Sequence, residues 1–506
     1  MWFIALASTV ILWIISNRVL RQHDARQRAR DIPPNPGNAH FVTRHEAASK
    51  GWLGGAKRIR IGYWDKSCTS PLYYNGKAHL FLIAPARSGK ARDLLIPALL
   101  EYEGSCIVID PKGQLAAVTG PHRARMGQQV FVLNPFKILA ENLYALAHVG
   151  FNPLAVLNPQ AESFGADCDS LAEAIVYEEG EAQRFFVDSA RQLISGVIAM
   201  IAAYAAPESR NLTRLVEIVT GPDFFAFAQK ANTTGNMEIE ARLSRFAAPK
   251  ADEDKTIMSI VETARTALGF MSITAIANSL RAVGPELRFA RLRQKPATVY
   301  LVLPARYLAT CARWFRLVIA AAMADLLRED ERGSVRVLGI LDEFAQLGTL
   351  KIMSDVMGLG AGYGVQICPV LQNLTQLQTL YKDWSTFLSG AGAQIYFGPR
   401  QGDLVTAEHL SRSSGETESV QTSGSISVGI QGPGNKDAGG INAQTGYAKQ
   451  RHPLIQPHET YAVGSREMLV VGEDFGNGVI IAGRRPYFEM PECKGKFSSD
   501  PYESKR

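Results

Sequence analysis

The sequence predicts an α/β protein built on a doubly wound, mainly parallel sheet, and three observations predict it. Short β-type apolar runs recur along most of the 506-residue chain, a phosphate-loop pattern follows one of them, and an Asp-Glu pair closes another. At roughly 100–200 residues per domain, the length corresponds to about three domains, or to one domain with large insertions. The composition is 46% hydrophobic and 20% charged, which excludes wholesale disorder and a polytopic membrane protein.

At the amino terminus, residues 1–16 carry no charge and are dominated by apolar side chains, ending at Asn17 and Arg18. With Val19 and Leu20 the run covers roughly 25–30 Å, just enough for a bilayer core of about 30 Å. Five arginines (Arg18, Arg21, Arg26, Arg28, Arg30) against Asp24 follow it. That order is the reverse of a cleaved secretory signal, and the positive-inside rule places the rest of the chain in the cytoplasm. A buried or interfacial helix is the alternative. Residues 1–20 are therefore expected to be a single transmembrane anchor and 21–40 a basic juxtamembrane linker, its DIPPNPGNAH end too rich in Pro, Gly and Asn for helix or strand.

The same arginine cluster explains the charge balance. Of the net +6, four units lie within residues 18–30, so the body of the chain is nearly neutral and its composition makes no case for nucleic acid. Cys68, Cys106, Cys168, Cys311, Cys368 and Cys493 are scattered without a CxxC pair. Neither a disulfide framework nor a zinc site is indicated, and core thiols in a reducing compartment are expected.

The strand-like runs are HLFLIA (79–84), SCIVID (105–110), VFVLNP (130–135), TVYLVLP (298–304), VRVLGILD (335–342), VQICPVL (365–371), AQIYFG (393–398) and GVIIAG (478–483). Most are apolar at consecutive positions, which suits strands covered by helices on both faces. Between about 160 and 290 the texture changes to Ala-rich segments with apolar residues three or four apart, as in ARQLISGVIAMIAAYA (190–205). That spacing predicts a helical insertion. Residues 413–452, rich in Ser, Gly, Thr, Gln and Asn, read as a flexible loop. The organisation expected is 41–159 and 291–490 as two parts of one nucleotide-binding domain, 160–290 as an all-α domain between them, and 491–506 as a tail.

The segment Ala84-Pro85-Ala86-Arg87-Ser88-Gly89-Lys90-Ala91 lies between a strand and an apolar stretch beginning at Leu94. That is the context of a Walker A loop, whose backbone N–H groups and following helix N-terminus cradle phosphates while its lysine reaches the β and γ phosphates. Gly89 and Lys90 match the pattern. Ala84 stands where the first Gly usually sits, and Ala91 where Ser or Thr would offer Mg²⁺ a hydroxyl. VRVLGILDEF supplies a Walker B arrangement, with Asp342 to hold Mg²⁺ through its water shell and Glu343 to deprotonate the attacking water. An acidic first helical turn is the simpler explanation of an isolated Asp-Glu. Beyond VQICPVL, Gln372-Asn373 is placed either to sense the γ-phosphate or to make local helix-start bonds.

Taken together, these segments resemble the coupling proteins of type IV secretion and conjugation, the TraG-type family, over about residues 75–490. The resemblance rests on APARSGKA (84–91), GSCIVIDPKGQL (104–115), SARQLISG (189–196), TVYLVLP (298–304), LDEFAQLG (341–348), GAGYGVQICPVLQNLTQLQTLY (360–381), IYFGP (395–399) and RRPYF (484–488). It implies a membrane-anchored ATPase with a RecA-like P-loop domain, an inserted all-α domain and a ring, hexameric assembly. The partners it implies are DNA, single-stranded and with its relaxase, or protein effectors, together with secretion-channel components at the inner membrane. It further implies ATP and Mg²⁺ as cofactors, with phosphate on Lys90, Mg²⁺ on Asp342, Glu343 as base and Gln372 as γ-phosphate sensor. Asp110 and Lys112 match the family pattern without a defined role. Arg400 and Arg412 are candidates for an arginine acting on a neighbouring subunit's nucleotide. Relatives usually carry two membrane spans, whereas one is visible here. A non-hydrolysing docking platform, suggested by the alanines of the phosphate loop, and a chromosome-type DNA translocase are the competing functions.

Overall fold

The register of three neighbouring strands decides where this molecule can bind a ligand. In a computed structural model, which describes residues 38–54, 58–177, 184–328, 333–428 and 441–502, the strands are β1 (His40–Phe41), β2 (Ile59–Tyr63), β3 (Pro71–Tyr74), β4 (His79–Ile83), β5 (Ser105–Ile109), β6 (Gln129–Leu133), β7 (Ala147–His148), β8 (Ala297–Leu301), β9 (Val337–Leu341), β10 (Val365–Leu371), β11 (Ala391–Tyr396), β12 (Glu416–Val428), β13 (Ile441–Pro453), β14 (Glu467–Gly472) and β15 (Gly478–Gly483). Thirteen form one sheet in the order β3-β2-β15-β14-β11-β4-β10-β9-β5-β8-β6-β7, with β1 on β15. From β11 to β7 all neighbours are parallel. Leu371 pairs with Ile83 and Pro369 with Leu341, so β4 and β10 end level, β9 stops two residues short of them, and the loops that follow all three share one edge.

Alternate residues of each central strand enter opposite cores. Phe81, Ile83, Ile107, Ile109 and Val299 face a core shared with helix Leu308–Leu326 and the inserted helices. Leu80, Leu82, Cys106, Val108 and Tyr300 face a second core with helices Ile96–Glu101 and Gln114–Arg125. Every residue of β4, β5, β8, β9 and β10 is buried, which is why these runs show no polar alternation in the sequence. All six cysteines are buried as well.

The region expected to be helical runs from helix Phe164–Ile175 to helix Thr274–Ser279. Its centre is helix Arg184–Tyr204, packed against Phe164–Ile175, Met237–Ala247 and Lys255–Leu268. Arg184–Tyr204 is also the one helix among the described residues long and apolar enough to cross a membrane, but it is largely buried within the protein. The expected anchor at 1–20, and the linker up to residue 37, lie outside the described residues.

One expectation needs correction, and one strand lies outside the parallel part of the sheet. GVIIAG forms a strand as expected, β15, and it belongs to an antiparallel extension in which β14 pairs β11 and β15, and β15 pairs β2. Only residues 473–477 join β14 to β15, too short a link for a parallel crossover. Residues 413–452, expected to be a loop, are largely strand: β12 and β13 pair antiparallel from Glu416↔Pro453 to Val428↔Ile441. Val420, Thr422, Ile426 and Val428, and Ile441, Ala443, Thr445 and Tyr447, recur at every second or fourth position, a strand period that the Ser and Gly content conceals.

Candidate active site

β4 delivers the chain into the phosphate loop. Ala84 N–H donates to the carbonyl of Leu371 at 2.8 Å, extending the β4–β10 ladder by one residue, and Ser88 N–H closes a turn onto Pro85 at 3.1 Å. Arg87 (φ +61°) and Gly89 (φ +88°) adopt left-handed conformations, and Lys90 returns to right-handed helix at φ −50°, ψ −47°. A left-handed residue followed by a helical one is the backbone geometry that gathers N–H groups into an anion-binding concavity. A π-helical turn, Ala91–Leu95, then leads into helix Ile96–Glu101. The hydroxyl of Ser88 is buried and has no hydrogen-bond partner among the described residues.

Four side chains, from the segments that follow β4, β9 and β10, meet at this loop. Lys90 Nζ lies 2.6 Å from Asp342 Oδ1 and 2.8 Å from Glu343 Oε1. Gln372 Nε2 donates to Glu343 Oε2 at 3.1 Å. Glu343 is held at φ +55°, an uncommon conformation for a residue with a side chain, and its N–H donates to Asp342 Oδ1 at 3.0 Å. It precedes only a short 3₁₀ turn, Phe344–Leu347. The carboxylate therefore faces Lys90 rather than serving as the acidic first turn of a long helix.

Burial and pairing set the protonation of these groups. For Asp342, burial raises the pKa and Lys90 offsets this only in part. For Glu343, burial acts in the same direction but is outweighed by Lys90 and the Gln372 hydrogen bond, so its carboxyl lies below the ordinary range. Burial disfavours the charge on Lys90, yet Asp342 and Glu343 together raise its pKa. Glu343 is thus an ionised acceptor at neutral pH.

The pair Gln372-Asn373 divides its work. Asn373 caps helix Leu374–Leu380 by accepting from Gln376 N–H, a local bond. Gln372 turns to Glu343, and its own N–H donates to Gln376 Oε1 at 2.9 Å. Asp110 directly follows β5, which neighbours β9, and it is 2% exposed and accepts the N–H of Ala116 at 2.8 Å. Lys112 is exposed, and its charge acts on Glu343. Arg400 donates to the carbonyl of Ala86 at 2.5 Å, within its own chain. Arg412 pairs with Glu408 at 3.4 Å and is 81% exposed.

Arg484, in the RRPYF segment, has no role that the sequence alone reveals. It is 4% exposed, and Nη1 donates to the carbonyl of Ser88 at 2.8 Å and lies 3.5 Å from Asp93 Oδ2. Its guanidinium sits 4.0 Å from the centroid of the Phe397 ring. Asp93 also pairs with Arg92 at 2.6 Å. Arg484 follows β15, so the antiparallel extension braces the phosphate loop from beneath.

The family described as type IV secretory system conjugative DNA transfer matches residues 40–505. The chain belongs to that family. Protein VirD4 of Rhizobium radiobacter is 27% identical over 399 residues, 75% of this chain and 55% of VirD4. Conjugal transfer protein TraG of Escherichia coli is 25% identical over 473 residues, 86% of this chain and 71% of TraG. The chain thus spans little more than half the length of VirD4. Among solved structures, the unbound bacterial conjugative coupling protein TrwBdeltaN70 superposes with a TM-score of 0.65 at 14% identity, covering 90% of this chain and 93% of that one. A complex of the plasmid coupling protein TrwB with ADP and Mg²⁺ gives 0.61 at 14% identity. This family member therefore has a mixed α/β fold with a large parallel sheet that TrwB shares.

Proposed function

We propose that this conjugative DNA transfer family member is the coupling ATPase of a type IV secretion or conjugation system. It receives a DNA–relaxase complex or a protein effector and uses ATP hydrolysis to deliver it to the secretion channel. The observation that carries the reading is the meeting of Lys90, Asp342, Glu343 and Gln372 within hydrogen-bonding distance beside the phosphate loop. TrwB complexes with ADP and Mg²⁺, and with a non-hydrolysable ATP analogue, are in keeping with it.

The residues present fit ATP and Mg²⁺. The loop 85–91 offers a left-handed Gly89, a lysine at the start of a helix and the unpartnered Ser88 hydroxyl, a donor set suited to phosphate. Mg²⁺ keeps most of its water and needs only one or two carboxylates besides phosphate oxygens. Asp342 alone can therefore hold it although Ala91 has no hydroxyl. When bound, the ion screens the phosphate charge during transfer. Lys90 exchanges its carboxylate partners for the β and γ phosphates. Glu343, ionised and fixed by Gln372, takes the proton of the attacking water, and Gln372 reports the γ-phosphate to the helix it precedes.

In this reading the parts 41–159 and 291–490 form a RecA-like nucleotide-binding domain, and the 160–290 helices recognise cargo. A single span at 1–20 holds the protein in the inner membrane, and the working assembly is a homo-hexamer. A nearly neutral body can still hold DNA if a ring concentrates a few basic side chains in its pore. A non-hydrolysing platform is the second reading, favoured by the alanines of the phosphate loop. The Gln372–Glu343 bond weighs against it, because docking has no use for an oriented base. Lys90→Ala should abolish ATP hydrolysis and substrate transfer while leaving membrane localisation intact. Unimpaired transfer by that variant would contradict the motor reading.

A further inference from the structure

Glu343 is tied to the helical insertion through one short segment. After the turn Phe344–Leu347 comes Gly348 at φ +63°, ψ −165°, and helix Lys351–Leu359 starts soon after. The intervening backbone is gripped from three directions. From the insertion, the Tyr177 hydroxyl accepts the N–H of Thr349 at 3.4 Å. The Tyr177 ring lies so close to Gly348 that an added Cβ would sit 2.8 Å from it, so only glycine meets both the backbone angle and the contact.

From helix Leu308–Leu326, Arg316 donates to the carbonyls of Leu347 and, at 3.0 Å, Thr349. It also donates to Ala174, at the end of the insertion's first helix, at 3.4 Å. Its guanidinium lies 3.9 Å from the Tyr177 ring centroid. Arg316 is 1% exposed, and such deep burial of a charge bonded mainly to carbonyls is costly. The cost is consistent with a specific orienting task.

From the segment after Gln372, the Tyr381 hydroxyl donates to the carbonyl of Gly348 at 3.4 Å and accepts the N–H of Leu350 at 3.2 Å. Thr349 Oγ1 donates to Leu380 at 2.7 Å. Leu380 ends the helix that begins at Leu374, two residues after Gln372. Glu343 and Gln372 thus each start a segment whose far end reaches the same knot, and the knot includes Tyr177.

Building on the ATPase reading above, we propose that Tyr177 and Arg316 are positioning residues for Glu343, and that their knot at 347–350 is the contact through which the inserted helices act on the hydrolytic step. A catalytic group must be held within about 0.5 Å of its productive place, and the knot lies a few residues from Glu343. The phosphate loop hangs from β4 and Arg484, which the knot does not touch. The knot should therefore govern turnover and not nucleotide affinity.

The test uses the purified full-length protein, with steady-state ATP turnover and titration of a fluorescent ATP analogue. Tyr177→Ala is expected to lower kcat roughly 10-fold or more with the nucleotide Kd within about twofold of wild type. Tyr177→Phe keeps the ring and should fall between the two, and Arg316→Lys should recover part of the kcat lost in Arg316→Met. Should the Arg316 variants fail to fold, Tyr177→Ala and Gly348→Ala carry the test. A purely structural role would weaken Kd and kcat in parallel, and that result overturns the proposal. So does an unchanged kcat in folded Tyr177→Ala when wild type turns over ATP, a result that leaves the ATPase reading standing. Absence of wild-type turnover overturns both.

Discussion

Gln372 donates its amide N–H to Glu343 at 3.1 Å, while the other oxygen of the same carboxylate faces Lys90 at 2.8 Å. The two contacts fix the plane of the carboxylate. Gln372→Ala should therefore lower ATP turnover about 10- to 100-fold while nucleotide affinity changes little. Gln372→Glu adds a like charge, which raises the Glu343 pKa. The acid limb of its kcat–pH profile should move to higher pH, as a pH series on that variant would reveal.

Arg484 joins the phosphate loop to the antiparallel extension through Ser88 and Asp93. In Arg484→Met the Asp93 carboxylate, 1% exposed, keeps Arg92 as its one ion-pair partner among the described residues. Losing one partner of a buried pair costs about 3 kcal/mol, the low end of the usual range because Arg92 remains. Urea unfolding should register that loss, and ATP titration should register weaker binding because the Ser88 carbonyl is no longer anchored.

Ala91 is where the loop lacks a hydroxyl. Ala91→Ser adds a single oxygen at the first position of the π-helical turn, next in sequence to Lys90, which pairs with Asp342. The Mg²⁺ concentration giving half-maximal ATP turnover should fall several-fold. An unchanged Mg²⁺ dependence would mean that Asp342 and the phosphates already satisfy the ion.

Asp110 supplies a pH dependence with a definite sign. Burial, more than the neighbouring charge of Asp342, raises its pKa from 3.8 to about 7. Below pH 3.8 it is protonated whether the chain is folded or not. Between 3.8 and about 7 the folded protein retains a proton that the unfolded chain has released, so this group's contribution to stability falls as pH rises through that window and is constant above it. The total is at most about 4 kcal/mol. Asp110→Asn should flatten that part of the curve, as denaturation at several pH values would register.

Much of this architecture is legible in the sequence because burial leaves a plain mark. β4, β5, β8, β9 and β10 are buried on both faces, so their apolar runs stand out, and Lys90, Asp342 and Gln372 each follow such a run. Gln372 could not be separated from Asn373 by sequence, since either amide can cap a helix, and only the side-chain direction decides. β2 and β3 escaped because they mix Arg60 and Gly62, or begin at Pro71, and β14 because Glu467 opens it. Arg484 acts on Ser88, 396 residues away, and no local pattern encodes such a contact. Gly348 is different: its place in LDEFAQLG was visible, but the reason for it, the Tyr177 ring, lies in another part of the chain.

The proposed function requires Lys90, Asp342, Glu343 and Gln372 to form a working hydrolytic site. The most direct measurement is steady-state ATP turnover by the purified protein with single-stranded DNA and Mg²⁺, alongside Glu343→Gln, with nucleotide binding followed on both. Turnover by wild type, together with intact binding and loss of nearly all turnover in Glu343→Gln, is the predicted result. Equal turnover by the two proteins, or none by wild type, would contradict it.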